Sequence, residues 1–495
     1  MLYRQKFDTF IRCYGNIGYI VRKGNFSDRV TDYSGAIFLA ALSRKGQTLE
    51  KLVEKISESF IGVDQFELQK DAEDFYKMLE DDGFIVTGET ETELIQKDTR
   101  FSYTTIKPKT INKNIVPTII RSNRNTSEIL DGYFKDNPQI MTLQVELSSR
   151  CNERCIHCYI PHKEKICDIN DTLFYNIIEQ CRDNGVLNLT LSGGEPMIHP
   201  NFCDYLTKLL EYDFSITILS NLTLLTEEII SKMKDNRVLN VQTSLYSLKP
   251  AIHDAITTVP GSFEKTKDAI LQLIKNDIPL KISCPVMKLN KDCYLDVLKW
   301  SHEHKCEAAP DYELMARYDN STDNLNNCLS LVEVEKIIKD IYSTDDELIQ
   351  EELFNAGTTI DKKIDASNEF VCGTCISSIC IGANGTIYPC PGWQSYICGN
   401  IRETSLRETW ENSTKIKYIR SLRKKDFPKC LKCNDKKFCQ MCMLRNANEN
   451  LQSDPLKIPE RFCENAKLKH KIILEMKSKM QGKNYGTVPD TKFQD

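Results

Sequence analysis

Leu147-Ser148-Ser149-Arg150-Cys151-Asn152-Glu153-Arg154-Cys155-Ile156-His157-Cys158 is the stretch on which the reading of this chain turns. Cys151, Cys155 and Cys158 fall on one short loop in the spacing C-x3-C-x2-C. Three thiolates so placed can hold three corners of a cubic iron–sulfur cluster, and with no fourth cysteine in the loop one iron stays open. The competing readings are a structural zinc loop and three unconnected buried thiols. Zinc usually takes four closed ligands in paired C-x2-C spacing, which this loop does not offer.

Composition agrees with a metal role for cysteine. The chain has 495 residues, 21 of them cysteine, a length that suits about three domains. No apolar run approaches the roughly 20 residues needed to cross a bilayer. The start, Met1-Leu2-Tyr3-Arg4-Gln5-Lys6-Phe7-Asp8, lacks an apolar signal segment. The expectation is a cytoplasmic protein with no membrane association, in a compartment where disulfides are disfavoured and clustered cysteines point to metal. The formal charge of −5 combines 65 basic with 70 acidic residues, so no nucleic-acid partner is expected. The short basic stretches Arg420–Lys425 and Lys467–Lys471 read as solvated helix faces.

Residues 1–95 read as a self-contained unit. Phe10–Tyr14 and Gly18–Arg22 predict two strands about a Gly15-Asn16 turn. Three helical patterns follow: Ser34–Leu42, a second from Thr48 with Leu49, Leu52, Val53 and Ile56 on one face, and a third from Val63 to Leu79. The third stops at Gly83, before the strand Phe84–Val86. The arrangement is winged-helix-like but too acidic for a phosphate backbone. Residues 96–138 are polar and broken by Pro108, Pro117 and Pro138, which predicts a linker or irregular bridge.

From Ile140 the period changes. Strands at Thr142–Leu147, Leu187–Leu191, Ser215–Leu219, Val238–Leu245, Pro279–Val286 and Asp311–Arg317 alternate with helices at Asp171–Asp183, Phe202–Tyr212, Glu227–Lys234, Ser262–Lys275 and Tyr294–His304. This predicts an α/β fold, a partial (β/α)6 barrel over 139–330 with its ligand site at the carboxyl ends of parallel strands. Residues 331–371 read as a helical connection, 372–465 as a cysteine-rich domain, and 466–495 as a C-terminal helix and tail, with disorder expected from Gln481 onward.

The cysteine loop resembles the signature of the radical S-adenosylmethionine (SAM) enzymes, and the resemblance implies the same partial barrel. In that family the open iron chelates SAM, and an electron from the cluster splits it to a 5′-deoxyadenosyl radical. By that resemblance Gly193, Gly194 and Glu195, in Ser192-Gly193-Gly194-Glu195-Pro196, line the methionine amino group. Ser220, Asn221 and Ser244, in Ser220-Asn221 and Gln242-Thr243-Ser244, match the places that contact ribose and carboxylate. Arg317 is expected to pair with the SAM carboxylate. Many relatives carry Asp in place of Tyr246, and His253 reads as a substrate or SAM contact or as a helix cap.

Cys372, Cys375, the hairpin Ile381–Cys390 turning at Asn384-Gly385, then Cys430, Cys433, Cys439, Cys442 and Cys463 resemble the twin-cluster extension called the SPASM domain. By that resemblance one auxiliary cluster takes Cys372, Cys375, Cys390 and Cys442, and the other Cys430, Cys433, Cys439 and Cys463. With the first loop this makes three [4Fe–4S] clusters. Two residues separate Cys439 from Cys442 where relatives usually have three, and Cys380 could replace Cys372 or Cys375. Paired zinc knuckles are the rival. Residues 1–95 resemble the recognition element of enzymes that modify ribosomally made peptides (RiPPs), in which a leader peptide adds a strand to a sheet edge.

These resemblances imply a radical SAM maturase of a leader-bearing precursor peptide, of the sactipeptide or ranthipeptide type, closing a Cys thioether, with flavodoxin or ferredoxin as electron donor. The alternatives are epimerisation with Cys284 or Cys398 as hydrogen donor, carbon–carbon joining, formylglycine formation on another enzyme (disfavoured by Tyr246), and a non-catalytic iron–sulfur redox protein.

Overall fold

The computed structural model describes residues 1–23, 27–98, 122–343, 366–439 and 441–482. The N-terminal part has six short strands: β1 (Leu2–Gln5), β2 (Thr9–Tyr14), β3 (Ile17–Arg22), β4 (Ser27–Thr31), β5 (Gln47–Thr48) and β6 (Ile85–Gly88). They form two small sheets, β2-β3-β4 and β5-β1-β6. The expected hairpin is present, with β2 antiparallel to β3 across Gly15 at φ +59°, a conformation glycine adopts freely. Helices Tyr33–Ala41, Leu49–Ser57 and Gln65–Asp81 carry the predicted apolar faces, which meet at Leu39, Leu52, Ile56, Tyr76 and Leu79. Thr48 Oγ1 caps the second by accepting Lys51 N–H, and Asp64 caps the third through Phe66 and Glu67 N–H. β1 and β4 escape a reading by alternation because they are short and polar; pairing with β6 and β3 makes them strands.

The bridge is not irregular throughout. Helix Ser122–Asp136 occupies its second half, while residues 99–121 lie outside the described residues. Leu130 and Phe134, one turn apart, pack on Phe10, Tyr14, Tyr19 and Val21, and Leu187 and Ile376 join the same cluster. The helix is hard to see in sequence because only one narrow face is apolar amid Asn, Ser and Asp, and Pro138 lies beyond its end. That cluster ties the N-terminal domain, the barrel and the cysteine-rich domain together.

Six parallel strands follow: β7 (Thr142–Ser148), β8 (Asn188–Gly193), β9 (Ser215–Leu219), β10 (Val238–Ser244), β11 (Leu280–Pro285) and β12 (Glu307–Asp311). Helices Asp171–Asp183, Phe202–Leu209, Glu227–Asp235, Ser262–Lys275 and Tyr294–Glu303 lie between them, the crossovers that parallel pairing requires. The sixth strand is Glu307–Asp311 and not Asp311–Arg317. Its Glu, Ala and Pro are poor strand formers, tolerated because β12 is an edge strand that, among the described residues, pairs only with β11. Leu143, Val145, Leu189, Ile216, Val241 and Ile282 turn toward the helices and are buried among them. Alternation then puts Gln144, Glu146, Thr190, Thr217, Gln242 and Ser283 on the concave face. A barrel packed shut would carry branched apolar residues there; this one has a polar hollow.

The cysteine-rich domain continues the barrel sheet. β13 (Ser378–Ile381) lies parallel to β7, followed by β14 (Thr386–Tyr388) and β15 (Gly399–Asn400), so the sheet order is β12-β11-β10-β9-β8-β7-β13-β14-β15. The predicted hairpin turns at Gly385, φ +87°. Helix Leu331–Ser343 packs Val334, Ile338 and Tyr342 on Ile472 and Ile473 of helix Glu460–Gly482. The expected boundary at 465 therefore falls inside one helix. Residues 344–365 of the connection, and the tail from 483, lie outside the described residues. Among the described residues no helix is long and apolar enough to cross a membrane.

Candidate functional site

The loop of Cys151, Cys155 and Cys158 leaves the carboxyl end of β7 and is pinned from several sides. Arg150 pairs with Asp168, which also accepts Ser148 Oγ–H. The backbone N–H groups of Arg154 and Ile156 donate to Thr257 and Ile256 carbonyls. Asn324 and Asn327 donate to the carbonyls of His157 and Ile156. These anchors hold the loop in place at several points along its length.

Gly193 and Gly194 are needed by that loop. A Cβ on Gly193, where φ is +135°, would stand 2.0 Å from Ser148 O, and one on Gly194 would stand 2.4 Å from Arg150 O. Gly194 N–H donates to Ser148 O and Glu195 N–H to Arg150 O. The fully buried Glu195 accepts Ser220 Oγ–H at 2.8 Å, Asn221 N–H at 2.7 Å and Met197 N–H at 2.9 Å. Burial holds its carboxyl up at about 7 despite these donors. Asn221 reaches back to the loop, donating to Asn152 Oδ1 at 2.9 Å with its amide 4.0 Å from Cys151 Sγ. Thus Gly193, Gly194, Glu195, Ser220 and Asn221 gather at the cysteine loop.

Tyr246 is a functional neighbour that the motif reading treated only as a missing Asp. Its hydroxyl lies 3.0 Å from His157 Nε2 and 3.9 Å from Cys155 Sγ. Burial pushes the His157 imidazole down to about 4, so it is neutral, and its tautomer decides which of the two groups donates in this contact. Ser244 ends β10 two residues before Tyr246 and hydrogen-bonds its side chain. His253 does not cap a helix: its Nδ1 accepts Tyr246 N–H, and Asp254 instead caps Ser262–Lys275 through Gly261 and Phe263 N–H. Arg317 lies past β12 rather than at its end, yet its Nε donates to Cys158 O at 3.3 Å while Nη1 pairs with Asp323.

Glu153 also sits in the loop, with Oε2 3.4 Å from Cys155 Sγ and Oε1 buried without a hydrogen-bond partner among the described residues. Burial lifts its carboxyl to about 7, with Glu195 adding to the rise. Burial also raises the Cys155 thiol, and Glu153, Cys158 and Cys151 raise it further. Acids outnumber cations here, with Lys165 the basic side chain acting on Cys151. Deprotonated thiols in such a place need a cationic partner, so the donor chemistry fits an iron cluster.

All 21 cysteines are free thiols. Burial pushes Cys390 up to about 12, and Cys442, Cys372 and Cys375 are its acidic neighbours. Burial raises Cys430, beside Cys463 and Cys433, and lifts Cys439 to about 11, beside Cys430 and Cys463. The two expected sets are thus two neighbourhoods. Among the described residues no group of three or more His, Cys, Asp or Glu is drawn together as a single-ion site. Cys375, at φ +60°, turns its buried thiol to Cys398. Cys380 faces the other way, toward Glu146 and Cys390.

Neither expected hydrogen donor faces the hollow. Cys284 is packed on the helix side of β11, and Cys398 lies in the same apolar core. Cys380 lies on the concave side of β13, since Ile379 and Ile381 face the helices.

Comparison with known proteins agrees with this geometry. The Radical SAM superfamily model matches residues 145–301, and the SPASM model, an iron-sulfur cluster-binding domain, matches residues 372–434. An AdoMet-dependent heme synthase of Methanosarcina barkeri is 26% identical over 61% of this chain and 90% of its own length. The antilisterial bacteriocin subtilosin biosynthesis protein AlbA of Bacillus subtilis is 24% identical over 68% of this chain and 75% of its own. The crystal structure of Streptococcus suis SuiB bound to precursor peptide SuiA superposes with a TM-score of 0.59 at 19% identity, covering 92% of this chain and 99% of that one. The protein therefore carries a Radical SAM domain whose sheet runs on into a SPASM iron–sulfur cluster-binding domain.

Proposed function

We propose that the protein matures a ribosomally made precursor peptide by taking a hydrogen atom from a peptide carbon and closing a Cys thioether. The observation that carries this reading is the pairing of β13 with β7, which sets the hairpin leading to Cys390 beside the polar hollow that the Cys151–Cys158 loop overlooks. An extended peptide, rich in N–H and C=O groups, suits the Thr, Ser and Gln of that concave face.

Cys151, Cys155 and Cys158 would hold a [4Fe–4S] cluster that supplies the radical with SAM on its open iron. The sets of Cys372, Cys375, Cys390, Cys442 and of Cys430, Cys433, Cys439, Cys463 would hold two more. Gly193 and Gly194 let the loop close on β8, Glu195 fixes the Ser220–Asn221 turn, and Ser244 and Arg317 offer polar contacts to SAM. Flavodoxin or ferredoxin would supply electrons. The leader would add to the edge of β4, which pairs only with β3 among the described residues. The Bacillus subtilis relative is named for bacteriocin biosynthesis, and SuiB was solved with its precursor peptide; both support a peptide substrate.

Epimerisation is the second reading, favoured by Cys380, whose buried thiol faces the hollow. Anaerobic incubation of iron-reconstituted protein with SAM, reductant and a Cys-containing precursor encoded beside the gene separates the two. A thioether makes the product lighter by a pair of hydrogens and removes one alkylatable thiol. Unchanged mass, with deuterium gained in heavy water, would establish epimerisation instead. No 5′-deoxyadenosine would leave only a redox protein.

A further inference from the structure

Glu146 is a buried acid with no part in the loop. It lies on the concave side of β7, opposite Ser192 of β8, between Val145 and Leu147, which face the helices. Gln394, in the segment after β14, donates from Nε2 to Glu146 Oε1 at 2.6 Å. Oε2 has no hydrogen-bond partner among the described residues. Tyr159, Tyr318, Tyr388 and Cys380 are the titratable groups that face it; no Lys, Arg or His is among them. A carboxyl has thus been placed in the hollow where barrel and cysteine-rich domain meet, at the cost of its hydration, and is held by a side chain from the other domain.

We propose that Glu146 accepts the proton of the substrate thiol as the carbon–sulfur bond closes, and that Gln394 positions it. The inference rests on the thioether reading. The carbon loses its hydrogen atom to the 5′-deoxyadenosyl radical, the thiol loses its proton to Glu146 Oε2, and the C–S bond forms. The one electron left over would go to an oxidised iron–sulfur cluster held by the set that includes Cys390. Burial lifts the Glu146 carboxyl to about 8, close to the ordinary thiol value, the match that favours transfer between the two.

The test uses E146Q and Q394A with precursor carrying deuterium at the reacting carbon. In E146Q, deuterium transfer to 5′-deoxyadenosine should persist while thioether yield falls about a hundredfold. Wild-type yield should rise with pH through about 8. Loss of the Gln394 donor should move that rise to higher pH, which carries the test if E146Q fails to fold. Without SAM or reductant, adding precursor near pH 8 should protonate a carboxyl seen by infrared difference spectroscopy, in wild type but not in E146Q nor with the precursor cysteine changed to serine. E146Q crosslinking within about twofold of wild type, or an unshifted profile in Q394A, would overturn the proposal. Failure of wild type to form any thioether would instead overturn the functional reading.

Discussion

A Cβ on Gly193 would lie 2.0 Å from the carbonyl oxygen of Ser148. The end of β8 and the start of the cysteine loop are thus in backbone contact, and no side chain fits between them. With φ at +135°, any other residue also adds backbone strain of about 1–3 kcal/mol. G193A should therefore displace the loop. Reconstituted iron should fall from about 12 to about 8 per chain as the first cluster is lost and the auxiliary sets remain. Full iron with normal SAM cleavage would show that the loop tolerates the shift.

Tyr246 and Cys155 are coupled through a hydroxyl 3.9 Å from the thiol sulfur. Hydrogen bonds to cluster sulfurs raise reduction potential, so Y246F should leave iron content unchanged and lower the midpoint of the first cluster. A redox titration followed by electron paramagnetic resonance reads this directly. An unchanged midpoint would mean that the phenol serves His157 alone.

Much of this site was legible in the sequence because its chemistry is written in fixed spacings. The C-x3-C-x2-C loop and Gly193-Gly194-Glu195 needed no tertiary information. Tyr246 and Glu146 did, since a Tyr or Glu on a strand says nothing until its neighbours are known. Alternation located β7 to β11, whose apolar residues face helices. It failed for β12, where Ala, Glu and Pro are set by edge pairing, and for helix Ser122–Asp136, where two or three apolar residues suffice. The joining of β13 to β7 is a long-range pairing that no local pattern encodes.

The auxiliary ligand sets make a separable prediction. Cys380 faces Glu146 and Cys390, and neither Cys372 nor Cys442 is among the groups acting on its thiol. C380A should keep about 12 irons per chain, whereas C442A should lose about four. Loss of iron in C380A would move it into the first auxiliary set.

Glu146 also predicts a pH dependence of stability. Burial raises its carboxyl from 4.5 to about 8 in the folded chain. Between those values the folded state keeps a proton that the unfolded state has released, so stability falls as pH rises, by at most about 1.4 kcal/mol per pH unit. E146Q lacks this loss. Urea midpoints should therefore show the variant gaining on wild type from pH 5 to pH 8. A difference that does not change with pH would mean that Glu146 is hydrated.

The leader site is best tested at one residue rather than by deleting residues 1–95, because deletion would uncover Leu130, Phe134, Leu187 and Ile376. On β2 the outward carbonyls of Thr9 and Ile11 are already taken by side chains: Gln5 and Arg44 bond Thr9, and Arg12 bonds Ile11. That edge is closed to an added strand. With Thr9 and Ile11 outward, the register of β2 on β3 turns Gly18, Ile20 and Arg22 toward β4, where they meet Thr31, Arg29 and Ser27. The N–H groups of Asp28 and Val30 therefore point away from β3. V30P removes one of them without breaking the β3 ladder, since proline is tolerated on an edge strand. It should raise the KM for full-length precursor severalfold, by about one hydrogen bond's worth of roughly 1 kcal/mol, while uncoupled 5′-deoxyadenosine formation stays near wild type; because Val30 also packs against the Phe10 and Phe134 cluster, Tm should fall somewhat. A leaderless substrate should not distinguish V30P from wild type. If V30P processes full-length precursor with unchanged KM, the β4 edge does not take the leader, and the domain's role is to cap the barrel through Phe10 and Tyr14.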